Sequence, residues 1–167
     1  MNKSEENLKT AFAGESQANR TYLAFAKAAE KEGFPQIAKL FRAAAEAETV
    51  HALNHLNVLG KVKSTAENLE AAVSGETYEF KTMYPQMIAD AKAEGNKKAL
   101  QTFDYANKVE QIHANLYQKA IESAKAKKDL PKAEVYVCPV CGNTFVGEEP
   151  DVCPICGTAK AKFTKIA

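Results

Sequence analysis

Glu48-Thr49-Val50-His51 and Glu110-Gln111-Ile112-His113 are the stretches on which the fold turns. Each lies inside a long segment of helical periodicity. Three residues along an α-helix turn through about 300°, so each glutamate shares a face with its histidine. That face is otherwise apolar. An ionised carboxylate there costs several kcal/mol unless something pairs with it, and where carboxylate and imidazole come together the usual partner is a metal. Two such pairs, completed by one glutamate from each of two further helices, form the ligand set of a carboxylate-bridged two-metal site in a four-helix bundle. Glu15, and Glu76 or Glu79, are available for the completing positions.

The surrounding pattern supplies the helices. Ser4 is placed to cap a first helix with Glu5 and Glu6 in its first turn, running to about Lys31 and stopping at Gly33. Its seam reads Leu8, Phe12, Glu15, Tyr22, Ala26, Ala29. Pro35 suits the first turn of a second helix ending near Gly60, with the seam Ile37, Phe41, Ala44, Glu48, His51, His55, Val58. A connection over 61–74, holding a short capped helix, fits a crossover. The third helix is expected from Ser74 or Gly75 to just before Gly95, with Glu76, Glu79, Met83 and Met87 on its seam and a bend at Pro85. The fourth is expected over about 97–127, with Leu100, Phe103, Ala106, Glu110, His113, Tyr117 and Ile121 on its seam.

Composition narrows the class. The chain has 167 residues, a formal charge of +1 and no tryptophan. The near-zero charge makes no case for a nucleic-acid or membrane surface. No stretch approaches the roughly 20 apolar residues of a membrane span. The first fifteen residues carry no apolar signal core, so a reducing cytoplasm is the expected compartment. There cysteines serve more often as metal ligands than as disulfides.

After Asp129-Leu130-Pro131 the composition changes from Ala, Glu and Lys to Val, Tyr, Cys, Pro and Gly. Residues 131–167 read as a second, β-rich domain after a helical domain of 1–130. A unit that small needs a staple. Cys138-Pro139-Val140-Cys141-Gly142 and Cys153-Pro154-Ile155-Cys156-Gly157 provide one, each Cys-x-x-Cys turn bringing two thiolates to one metal. A tetrahedral site of four sulfurs holds zinc or iron, and this segment alone does not choose between them.

In the helical part, carboxylate-rich ligation suits iron or manganese better than zinc or copper. His55, one turn beyond His51, reads as a supporting or core histidine, and Glu30 and Glu46 fall off the seams. Tyr22 and Tyr84 are placed either to donate to ligand carboxylates or to pack as ordinary core tyrosines.

The chain is similar to the rubrerythrins. The resemblance rests on Ala-Phe-Ala-Gly-Glu-Ser (11–16), Gly-Glu-Thr-Tyr-Glu (75–79) with Met83-Tyr84-Pro85, and both cysteine knuckles, and it covers essentially the whole chain. It implies a mainly α protein, a ferritin-like four-helix bundle followed by a small β-rich rubredoxin-like metal domain. It implies two iron ions in the bundle and one iron on Cys138, Cys141, Cys153 and Cys156. One bundle iron takes Glu15, Glu48, Glu110 and either Glu79 or His51. The other takes Glu48, Glu76, Glu110 and His113, with Glu48 and Glu110 bridging. Glu79 and His51 exchange on the first iron between redox states. The implied activity is reduction of hydrogen peroxide to water in oxidative-stress defence, with a rubredoxin or an NAD(P)H-dependent reductase as donor.

Reach adds an expectation about assembly. From His113 to Lys127 the helix is about 21 Å long. A linker of about eight residues spans at most ~26 Å. The tail then barely returns to its own metal site, which predicts a homodimer exchanging either cysteine domains or helices. Three rival readings differ in class: a ferroxidase or iron-handling bundle with a structural zinc-ribbon tail, a diiron oxygenase, and a non-enzymatic metal-stapled interaction module.

Overall fold

The computed structural model describes residues 2–167, which divide into two compact units, one ending at Lys63 and the other beginning at Ser64. The first unit is a helical hairpin of α1 (Lys3–Lys31) and α2 (Pro35–Val58). The cap of α1 is Asn2 rather than Ser4: the Glu5 N–H donates to its side-chain oxygen at 2.9 Å. Glu5 and Glu6 still occupy the first turn, where the helix dipole favours them. Gly33, at φ +84°, closes α1 in the left-handed region, and Pro35 opens α2.

Small residues form the hairpin's buried face. Ala26 and Ala29 of α1, and Ala38, Ala45 and Ala52 of α2, are the buried apolar residues. The three α2 alanines recur every seventh position, a stripe that lets two backbones approach closely. The expected α2 seam lies off this stripe, and Ile37 and Val58 are 48% and 72% exposed. Periodicity located a face, but side-chain size selected the row that packs inside the hairpin. Asn19 is buried with it and donates to the Ala45 carbonyl at 2.7 Å and to Thr49 Oγ1 at 2.8 Å.

The second unit begins with α3 (Thr65–Tyr78), which passes through a π-helical turn (Glu79–Met83) into α4 (Tyr84–Ala93) and is followed by α5 (Lys97–Lys125). Two expectations are corrected here. The segment 61–74 is not a long connection, because Ser64 and Glu67 form a reciprocal capping box and the helix starts at once. Gly75 continues it. Only 59–64 links the units. At Pro85 the chain does not simply bend. The helix widens by one residue, the Tyr84 N–H reaching the Glu79 carbonyl, so that Pro85 falls in the first turn of α4, where its missing N–H is harmless. Helix α5 stops two residues early, and Lys127 takes the left-handed conformation at φ 54°.

The tail forms an antiparallel sheet of β1 (Val135–Val137), β2 (Thr144–Val146) and β3 (Thr164–Ile166), in the order β2-β1-β3. Phe145 stacks on Phe163 with centroids 4.8 Å apart. Strand β2 lies against α5, where Thr144 meets His113 at 2.9 Å. The reach argument therefore fails as a barrier: the cysteine domain touches its own chain's histidine. Among the described residues no helix is long and apolar enough to cross a membrane.

Candidate metal centres

The two knuckles bring the sulfurs of Cys138, Cys141, Cys153 and Cys156 within 4.8 Å of one another. Sγ–Sγ separations are 3.5 Å for Cys138–Cys156 and for Cys141–Cys153, and all four are free thiols. Burial opposes ionisation of Cys138, but the backbone N–H groups of Cys141 and Val140 aimed at its sulfur outweigh it and bring the thiol down to about 6. Cys153 is lowered by the matching arrangement in the second knuckle, with the N–H groups of Cys156 and Ile155 overcoming burial. Cys141 is pushed up by burial and by its three sulfur neighbours. Two thiolates are stabilised by backbone, and the remaining negative charge calls for a cation at the centre.

In the second unit Glu76 from α3 and Glu110 and His113 from α5 place one ligand atom each within 4.8 Å of one another. His113 Nδ1 lies 2.8 Å from Glu110 Oε2 and 3.9 Å from Glu76 Oε1. Burial, then the Glu110 carboxylate, raises the Glu76 carboxyl above its ordinary range. Glu79, at the head of the π turn, is raised by burial and then by Glu110. It lies outside the tight triad but within electrostatic reach of it. The Tyr84 hydroxyl is raised by burial, then by Glu110, Glu79 and Glu76 in turn. Carboxylates turned on one another in this way fit a site for a multiply charged cation.

The first unit carries a matching cluster. Glu15 of α1 and Glu48 and His51 of α2 also gather within 4.8 Å, and His51 Nδ1 lies 2.8 Å from Glu48 Oε2. All the expected ligands but Glu79 thus fall into two carboxylate–imidazole groups, one in each unit, beside the four-thiol group. His55 is half-buried and belongs to neither cluster. Tyr22 packs its ring 6.3 Å from those of Phe25 and Phe41, and Tyr84 packs against Phe103 while its hydroxyl feels the carboxylates.

Sequence reasoning missed Thr144 and Asn19. Thr144 approaches Nε2 of a candidate ligand histidine, and Asn19 ties α1 to α2 beside Thr49. Neither belongs to a motif. Thr144 follows the first knuckle by three residues, but nothing local says what it faces.

Comparison with known proteins agrees with this chemistry. Residues 6–121 match the rubrerythrin family model, and 136–164 match the rubrerythrin rubredoxin-like domain. Rubrerythrin-2 of Clostridium acetobutylicum is 42% identical over 93% of this chain and 92% of its own length. Nigerythrin of Nitratidesulfovibrio vulgaris is 38% identical over 95% of this chain and 84% of its own. A solved nigerythrin in a mixed-valence state superposes with a TM-score of 0.59 at 37% identity, covering 99% of this chain and 88% of that one. With both metal motifs in the family's order and the likeness running through nearly the whole chain, the protein belongs to the rubrerythrin family and carries that family's carboxylate diiron site and four-cysteine iron site.

Proposed function

We propose that this rubrerythrin is a peroxidase, reducing hydrogen peroxide to water with two electrons and two protons. The observation that carries the reading is the contact of the four-cysteine domain with α5, where Thr144 lies 2.9 Å from His113. A one-electron sulfur-ligated centre placed there is of use to a two-electron site that must be refilled, and a storage bundle has no need of it. When bound, the iron pair supplies both electrons together, so no hydroxyl radical is released. The boundaries proposed are 1–130 for the diiron domain and 131–167 for the cysteine domain. The metal ligands proposed are Glu15, Glu48, His51, Glu76, Glu79, Glu110 and His113, with Glu48 and Glu110 bridging and Glu79 and His51 exchanging.

The chain's own groups then have distinct tasks. Glu110 and Glu48 hold their histidines through the Nδ1 contacts until a metal takes that nitrogen. Burial and then the Glu110 carboxylate shift Glu79 toward its neutral form, so its carboxyl oxygen, when not holding a metal, is suited to carry a proton toward peroxide. Tyr84 keeps its hydroxyl proton for the same reason and donates toward the carboxylates. The upstream donor proposed is a rubredoxin or an NAD(P)H-dependent reductase, in the cytoplasm.

The assembly proposed is a helix-exchanged homodimer. Residues 59–64 span at most about 20 Å, whereas a crossover along α2 covers roughly 36 Å. A ferritin-like bundle with so short a link draws its two hairpins from two chains. Large apolar side chains left exposed on the first hairpin, among them Leu40 at 69% and Leu53 at 52%, support a partner surface.

Metal content per chain, followed by peroxide addition to the anaerobically reduced protein, tests the function. Three irons, and oxidation by peroxide much faster than by air, are expected. Zinc on the cysteines, with peroxide no faster than oxygen, leaves a ferroxidase with a structural tail.

A further inference from the structure

The hydrogen bonds around Thr144 point past its place in the cysteine domain. We propose that Thr144 is a positioning residue for His113, its hydroxyl serving as a reversible partner for Nε2 that holds the ring in ligating orientation with metal bound or absent. The inference rests on His113 being a ligand through Nδ1.

Thr144 Oγ1 lies 2.9 Å from His113 Nε2 and 3.3 Å from the Gly142 carbonyl oxygen. A hydroxyl has one proton to give and lone pairs to accept with, so it can point either way. With a metal on Nδ1 the ring proton must reside on Nε2. The N–H then donates to Thr144, and the Thr144 hydroxyl donates to the Gly142 carbonyl. Without a metal, Nδ1–H donates to the Glu110 carboxylate at 2.8 Å, and the Thr144 hydroxyl turns to donate to Nε2. Both tautomers are satisfied with no movement of heavy atoms. The half-buried ring need not swing when metal enters, and a costly unpaired N–H is never left behind.

Position reinforces the reading. Gly142 follows Cys141 directly, and its N–H donates to the Cys138 carbonyl at 2.9 Å, so the hydroxyl is tied to the knuckle itself. Gly142 sits over Val109, 2% exposed on α5, close enough that a Cβ at Gly142 would meet Val109 Cγ1 at 3.9 Å. The knuckle therefore cannot drift from α5 without breaking the His113 contact. No equivalent partner of His51 Nε2 is present among the described residues, and 54% of that side chain is exposed.

The test reads the ring directly. The chain has three histidines, so ¹⁵N-histidine labelling gives an assignable spectrum. The full-length protein, with one equivalent of zinc on the cysteines, is compared before and after further zinc fills the carboxylate site. Wild type should change from the Nδ1–H to the Nε2–H tautomer of His113 with a single sharp signal in each state, and Thr144→Ser should do the same. In Thr144→Val the loaded site should bind zinc about 10-fold more weakly, the size of effect that loss of a supporting partner has. Its metal-free ring signals should broaden. A wild-type ring on Nε2–H both before and after loading would overturn the proposal whatever the variants do. So would Thr144→Val with unchanged tautomers and zinc affinity. Peroxide turnover is not part of either measurement, so failure of the peroxidase reading would show separately, in the single-turnover experiment.

Discussion

The two Glu-x-x-His segments begin alike and end differently. In both, Nδ1 of the histidine sits 2.8 Å from the glutamate three residues earlier, and the two glutamates are similarly sheltered at 18% and 17% exposure. The histidines are not alike. His51 is 54% exposed, whereas His113 is 25% exposed and held on its far edge by Thr144. The i, i+3 geometry of a helix makes the near contact automatically, so identical motifs yield identical pairs. The far edge depends on what the rest of the chain brings up. One histidine is clamped on both sides and suits a permanent ligand. The other is tethered on one side within its own hairpin, and its far edge is left to whatever the completed site brings up.

The largest effect expected comes from breaking either pair. Glu48→Ala and Glu110→Ala should each lower peroxide turnover by more than the ~10–100-fold typical of losing a mere supporting partner. Refolding the two inactive variants together sharpens the comparison. In a helix-exchanged dimer one site joins the intact hairpin of one chain to the intact hairpin of the other, so the mixture should regain a substantial fraction of activity. Strict additivity of the two inactive preparations would rule that assembly out.

Next in size is the anchor of the first unit. Asn19→Leu removes the bonds to Ala45 and Thr49 and should cost about 1–3 kcal/mol in chemical denaturation. It should loosen the iron proposed to bind Glu15 more than the iron proposed to bind His113. Affinity lost equally at both irons would contradict independent support of the two halves. Lys127→Gly, at the left-handed end of α5, should stabilise the second unit by about 1 kcal/mol, visible as a raised Tm. A lowered Tm would mean the lysine side chain matters more than the backbone.

The smallest effect is on pH dependence. Glu76 and Glu79 have folded pKa values raised above 4.5, burial being the first cause and Glu110 the next. Just above that pH the folded metal-free chain holds protons that the unfolded chain has lost, so its stability should fall as pH rises. Zinc requires ionised ligands and should reverse the slope. Glu76→Gln should flatten the metal-free slope. If Tm in metal-free protein climbs steadily over this range instead, the carboxylates are not crowded as described.

Much of this was legible in one dimension. Helix starts at Pro35 and stops at Gly33, Gly60 and Gly95 follow from backbone preferences that each residue carries with it. The metal clusters were legible because ligands within a helical turn or a knuckle are brought together by local geometry. Local competition was harder to weigh. Gly75 looked like a helix start, but the Ser64–Glu67 capping box began the helix earlier and a single glycine could not stop it. Pro85 announced a conflict without its resolution, since a bend and a π turn both accommodate the missing N–H. The alanine stripe of α2 lost to the larger seam residues in a reading by hydrophobicity, though small side chains are what allow close helices.

The family, the pairing of each glutamate with its histidine and the four-sulfur knuckles could be read along the chain, because the residues that carry them lie within a few positions of one another. That Asn19 bridges α1 to α2, that β2 lies on α5 and that Thr144 meets His113 emerges in three dimensions alone. Those contacts join residues 26 and 31 positions apart. Their formation depends on the burial of whole faces rather than on any local preference, which is why no motif announces them.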